Sequence, residues 1–109
     1  MTYAVVILPE AEDDIIDAFL FIQNDSPMNA NRWIHGLYEA IGALETFPMR
    51  FGLARENDDV PQELRQMIYK SHRVIFEIRP TEVHVLHVRH AAQRNLQSGD
   101  KTNAGKENN

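Results

Sequence analysis

The sequence predicts an α+β fold in the order β-α-α-β-β-β, with a helical hairpin packed on one face of a mostly antiparallel four-stranded sheet. Three observations carry this reading. Two successive segments repeat apolar residues at helical spacing, and the "NDSP" break between them is too short for anything but a reversal. In the second half, three apolar runs follow one another with joins of hairpin length. The chain of 109 residues is short enough for one such domain, and 43% apolar residues suffice for a core.

The first element, "YAVVIL", is a compact apolar run that reads as a strand. Pro9 opens the first helix, with Glu10, Glu12, Asp13 and Asp14 in the turn where acids complement the dipole. Ala11, Ile15, Ala18, Phe19 and Ile22 form its apolar stripe. Ser26 suits an N-cap and Pro27 the first position of the second helix, along which Ala30, Trp33, Ile34, Leu37, Ile41 and Leu44 share a face up to "FP" at Phe47 and Pro48. Trp33 lies on that stripe and is expected in the core. Gly36 and Gly42 each cost the helix about 1 kcal/mol relative to Ala, and close packing against the first helix would explain them.

"MRFGLARENDDVPQE" has no periodicity and reads as a long connection. "LRQMIY", "RVIFEI" and "EVHVLHV" then form an antiparallel meander. In the middle run Val74, Phe76 and Ile78 take the face toward the hairpin. Arg73, Ile75, Glu77 and Arg79 take the other, which is expected to be open. Arg73 on an open face is replaceable by Ala at little cost in stability. Antiparallel pairing brings the start of this strand beside Arg89 and His90 at the end of the last one. Residues 97–109 lack any large apolar residue and are expected to be disordered, leaving 1–96 as the folded domain.

Charge is divided along the chain. Net charge is −5, but residues 1–60 carry eleven acids against three bases. Residues 61–96 carry three acids against Arg65, Lys70, Arg73, Arg79, Arg89 and Arg94, which points to two different partner surfaces. The absence of cysteine excludes disulfides and Cys-based zinc sites. His84 and His87, like His87 and His90, are three apart and so expected on opposite faces of a strand; no metal site and no cofactor is expected. No apolar run is long enough for a membrane span or a signal-peptide core, and the protein is expected to be cytoplasmic.

In this order and spacing the pieces resemble the RelE/ParE superfamily, the toxin halves of bacterial type II toxin–antitoxin pairs, also called plasmid-stabilisation proteins. The matching stretches are "PEAEDDIIDAFLFI", "SPMNANRWIHGLYEAIGALETFPMRFG", "ELRQMIYKSHRVIFEI" and "VHVLHVRHAAQR". The resemblance implies a cognate antitoxin as partner. The hairpin, with its "SP" opening and its "L-x-x-F-P-x-R-x-G" exit, looks more like the ParE branch, whose members bind DNA gyrase. On that reading Arg65, Arg73, Arg89 and Arg94 are the target-binding residues. The alternative is a RelE-like, metal-independent endoribonuclease that cuts mRNA on the ribosome. There Arg73 and Arg89 would stabilise the phosphorane charge and His90 would transfer a proton. The sequence departs from such nucleases: no Tyr follows Tyr69, and Lys70 is the only Lys before the tail, which leaves Glu63 as a substitute. A further alternative is a degenerate member that only binds its antitoxin.

Overall fold

The computed structural model describes residues 2–92. Arg94 and the 97–109 tail, singled out from the sequence, lie outside the described residues. The elements are β1 (Ala4–Ile7), α1 (Pro9–Asp25), α2 (Pro27–Gly42), β2 (Arg65–Tyr69), β3 (His72–Ile78) and β4 (Glu82–His90), with 3-10 turns at Ala43–Glu45, Pro48–Arg50 and Arg55–Asp59. The expected β-α-α-β-β-β order and the helical hairpin are both present.

One residue makes the helix reversal. The Ser26 N–H donates to the Ile22 carbonyl and closes α1, while the Ser26 hydroxyl accepts from the Asn29 N–H at 3.2 Å and opens α2. Pro27 follows at the position where a missing N–H costs nothing. The hairpin then lays Ala11 and Ile15 of α1 and Trp33, Leu37 and Ile41 of α2 over Val74, Phe76, Val83, Val85 and Val88, which together form the main core.

The sheet order is β1-β4-β3-β2. β2, β3 and β4 form the predicted antiparallel meander, and β1 lies parallel to β4 at the far edge. β1 covers β4 only from Glu82 to Val85, so β4 continues beyond its neighbour to His90. A bulge also interrupts the β3–β4 ladder: Ile75 faces His87 and Phe76 faces Val85, leaving Leu86 as the extra residue. Its effect is to reverse the alternation. Val83 and Val85 face the hairpin, and beyond the bulge so do Val88 and His90. His84 and His87, expected on opposite faces, therefore share one, because the extra residue shifts the phase between them. His84 sits against Glu82 at 2.7 Å and His87 against Asp14 at 3.1 Å. Among the described residues no group of His, Cys, Asp or Glu is arranged to hold a metal ion. No described helix is long and apolar enough to cross a membrane.

Two expectations need correction. The second face of the sheet is not open throughout, because the connection folds back on it. The Ala54 N–H donates to the Leu64 carbonyl at 2.8 Å, and Ala54, Leu64 and Val60 pack on Ile75 and Leu86 as a small second core. Gly36 makes room for a strand residue, not for α1. A Cβ there would overlap the Tyr69 hydroxyl, which donates to the Trp33 carbonyl at 2.9 Å, whereas Gly42 has open space around it.

This keyhole makes a double-mutant test. Gly36→Ala is expected to lower the melting temperature in the native background, since it displaces the Tyr69 hydroxyl and its hydrogen bond, worth about 1 kcal/mol. In a Tyr69→Phe background the same change becomes neutral or stabilising, because the obstructing oxygen is gone and Ala is the better helix former. Thermal melts of the four proteins measure the reversal.

Candidate functional site

The far end of the β3–β4 pair carries the cations. Register places Arg73 directly opposite Arg89, and His72 opposite His90, so the strand ends meet as expected. The surroundings differ from expectation.

Arg73 is fully buried. It donates from Nη1 and Nη2 to the two carboxylate oxygens of Glu56 at 3.0 and 2.8 Å, and from Nη1 to Gln66 Oε1 at 2.8 Å. Glu56 lies in the Arg55–Asp59 turn and is itself only 3% exposed. Arg73 thus does not stand on an open face, because the connection brings a carboxylate down onto it. The fork of a guanidinium on a carboxylate is the strongest geometry available to such a pair. Burial alone would raise the Glu56 pKa, but hydrogen bonds from Arg73 and from its own backbone N–H, with the charges of Arg73 and Arg89, outweigh it and hold the group below its ordinary value.

Arg89 shares this face. It is half-buried, and its Nε, like that of Arg73, has no hydrogen-bond partner among the described residues. Burial pushes its pKa down, Asp14 and Glu56 pull it back up, and Arg73 lowers it further. Arg55 closes the end of the cluster: its N–H donates to Gln66 Oε1 at 3.3 Å and its Nη2 to the Ala91 carbonyl at 2.6 Å. Arg65 is not part of the group. It alternates onto the hairpin face with Met67, donating to the Phe51 carbonyl at 2.6 Å and to Glu63 at 2.7 Å.

His90 projects to the opposite side from Arg89, as strand alternation requires. Its ring packs edge-on against His72 at 5.2 Å, and the His72 ring packs against Trp33 at 5.1 Å. The Ala92 N–H donates to His90 Nδ1 at 3.1 Å. Burial, and then the proximity of His90, depress the His72 pKa below its ordinary value. Trp33, read from the sequence as a core residue, is buried. Arg73, Arg89 and His90 therefore converge in sequence register but divide between two faces. The residues missed by sequence reasoning are Glu56, Gln66 and Arg55 on one face and Asp14 at the sheet edge. The only signal for Glu56 was an acid flanked by the apolar Ala54 and Val60 in an otherwise polar segment.

A helical hairpin on a four-stranded sheet, with cations gathered at the end of the central strands, defines the class to which this chain conforms. Residues 5–95 match the family described as ParE toxin of type II toxin-antitoxin system, parDE, and the chain belongs to that family. Among solved structures it is similar to the chromosomal ParDE TA system from P. aeruginosa, at 15% identity and a TM-score of 0.66, over 82% of this chain and 96% of that one. That likeness is one of fold. No protein of curated function matches the sequence.

Two measurements test the site's energetics. Arg73→Ala is expected to destabilise the protein by about 3–5 kcal/mol, since it strands the buried Glu56 carboxylate. The double change Arg73→Met with Glu56→Leu should cost far less, and chemical denaturation separates the two outcomes.

Stability should also fall with acid in two stages. Both groups have folded-state pKa values below their unfolded ones, so each contributes stability that is complete above its unfolded value and is lost as pH falls through the folded one. For His72 the decline begins below 6.5, and for Glu56 below 4.5. His72→Phe, which keeps the ring stack, should flatten the upper stage in melting curves taken from about pH 7 to about pH 5.

Proposed function

We propose that this chain is the toxin of a cytoplasmic type II toxin–antitoxin pair, that it stops growth by binding DNA gyrase, and that a cognate antitoxin neutralises it. The observation that carries a binding reading over a nuclease reading is the division of Arg73, Arg89 and His90 between two faces of the sheet. Metal-free RNA cleavage requires a proton-transfer group and phosphate-stabilising cations around the same phosphate. Here the Arg73 guanidinium is held by Glu56 and Gln66, and His90 lies across the sheet against His72. Arg89 remains as the cation of this end suited to a partner's surface, beside Arg55; of the other sequence-derived candidates, Arg65 is on the hairpin face and Arg94 lies outside the described residues.

Family membership supports the toxin role, and the antitoxin follows from that role. The acidic overall charge also favours a protein target over the ribosome's phosphate surface, where neutralising phosphates is the dominant source of affinity.

Supercoiling by purified gyrase is the direct test. The chain should inhibit it, and His90→Gln should change the inhibition by less than about threefold, because no proton transfer is involved. Ribosome-dependent cutting of mRNA by the native chain, reduced about 100-fold or more in His90→Gln, would replace this reading with the endoribonuclease one. Inactivity in both assays with antitoxin binding retained would mark a member that has lost toxicity.

A further inference from the structure

We infer that the turn after α2 is an anchor by which this chain docks on its target protein, with Phe47 as a finger that enters an apolar pocket rimmed by acids. The inference rests on the gyrase reading above and names a contact surface and the chemistry it meets.

Backbone strain is the first observation. Phe47 has φ 49° and ψ 55°, the left-handed conformation, just past the end of the Ala43–Glu45 turn. Helix ends commonly place Gly or Asn there, because a Cβ is crowded, and a residue before proline is pushed further toward extended backbone. Lys70, the other described non-glycine residue with positive φ, sits in the two-residue join of β2 and β3, where hairpin geometry asks for it. At Phe47 the helix end asks for the conformation but not for the ring.

The surroundings hold this turn in place. Pro48 is fully buried, and Thr46 bridges Thr2. Arg50 donates from Nη1 to the Thr46 and Phe47 carbonyls, and its guanidinium lies 4.4 Å from the centre of the Phe51 ring. The Phe47 ring itself is 64% exposed and packs on neither apolar core. A bulky side chain kept in an unfavourable conformation with its ring in water adds nothing to the fold, so its use lies outside the chain. The turn sits beside the start of β1, toward the beginning of β4, and is a contact separate from Arg89.

Charge and area decide the occupant. Residues 46–55 read "TFPMRFGLAR", with no acid and with two of the three bases of residues 1–60. Met49 and Leu53 in this strip are also exposed. An apolar, cationic strip in the acidic half of the chain complements a pocket with an acidic rim, and aromatic residues with Met are enriched in interface cores. The exposed area of Phe47, Met49 and Leu53 is on the order of 300 Å², since a whole aromatic side chain buries about 150–250 Å². A stable dimer buries roughly 800 Å² per partner, so this patch does not hold two copies together by itself. Its size and convex shape suit one hot-spot cluster inserted into a preformed concavity.

The test measures binding of the full chain and four variants to purified gyrase, alongside their thermal melts. Asn tolerates the left-handed turn, so Phe47→Asn should melt at the native temperature or above it and lose gyrase affinity about tenfold or more. Met49→Lys should bind within about threefold of the native chain, and Met49→Glu should lose about tenfold or more, because only the acid meets the rim with like charge. Phe21→Ala removes a ring 81% exposed on α1 and should bind within about threefold. A melting temperature lowered by several degrees in Phe47→Asn makes the ring structural and overturns the inference. Unchanged gyrase affinity in that variant, equal effects of Met49→Lys and Met49→Glu, or a comparable loss with Phe21→Ala overturn it too. A native dimer dissociated by Phe47→Asn, or antitoxin affinity lost while gyrase affinity is kept, gives the ring another occupant and has the same consequence. In each of these cases a native chain that binds gyrase keeps the gyrase reading. A native chain that does not bind gyrase removes that reading and the inference with it.

Discussion

The buried pair between Arg73 and Glu56 fixes how the second half of the molecule is arranged. Taking two charges out of water costs several kcal/mol per ion, and only good geometry with further hydrogen bonds offsets it. The fork onto Glu56 and the third contact to Gln66 supply both. The connection from Phe51 to Leu64 is otherwise held mainly at its ends and through Arg55, which reaches Gln66 and the Ala91 carbonyl. Ala54, Val60 and Leu64 form a small apolar contact, and the backbone pairs with the start of β2 only around Gly52 to Ala54. The ion pair therefore fixes the middle of this segment over the sheet, where the apolar contact is small. It also decides which cation of the β3–β4 end is structural and which is available, leaving Arg89 to face a carboxylate shared with a better-placed neighbour.

The fold was legible because its signals are periodic. Helical stripes, the Ser-Pro reversal and the strand joins each depend on residues within a few positions of one another. The Arg73 environment was not legible, since its partner lies 17 residues upstream in a segment with no period. The separation of His90 from Arg89 could have been read from strand alternation alone, but closeness in sequence hid it. Gly36 was correctly marked as a close approach, yet its partner is Tyr69, 33 positions away, and nothing local distinguishes a strand tyrosine from a neighbouring helix.

Electrostatics divide the molecule by edge as well as by sequence half. The side of α1 carrying Glu10, Asp14 and Asp17 runs beside β4, so Glu10 and Asp14, which first read as helix-dipole partners, also line the cavities that flank this strand, with Asp17 beside them. One carboxylate among them, Asp14, ties helix to sheet through His87 and Val88. A helix-start signature and the tie between helix and sheet thus share a residue, Asp14, seen at two scales.

Leu86 gives the last strand one residue more than its neighbour can match. Because the bulge absorbs that residue, Val88 turns toward the hairpin and Arg89 toward Arg73. Were the strand to keep its length but alternate strictly through this point, the phase would invert beyond it: His87 and Arg89 would be driven under the helices, and Val88 would be left on the cationic side. A strand without residue 86 would reach the same facing by plain alternation, so it is the bulge that absorbs Leu86, and not the length of the strand, that the pattern restrains. Among relatives of this chain, loss of the residue at position 86 should go with an unbroken ladder and the same facing, and its retention with the bulge.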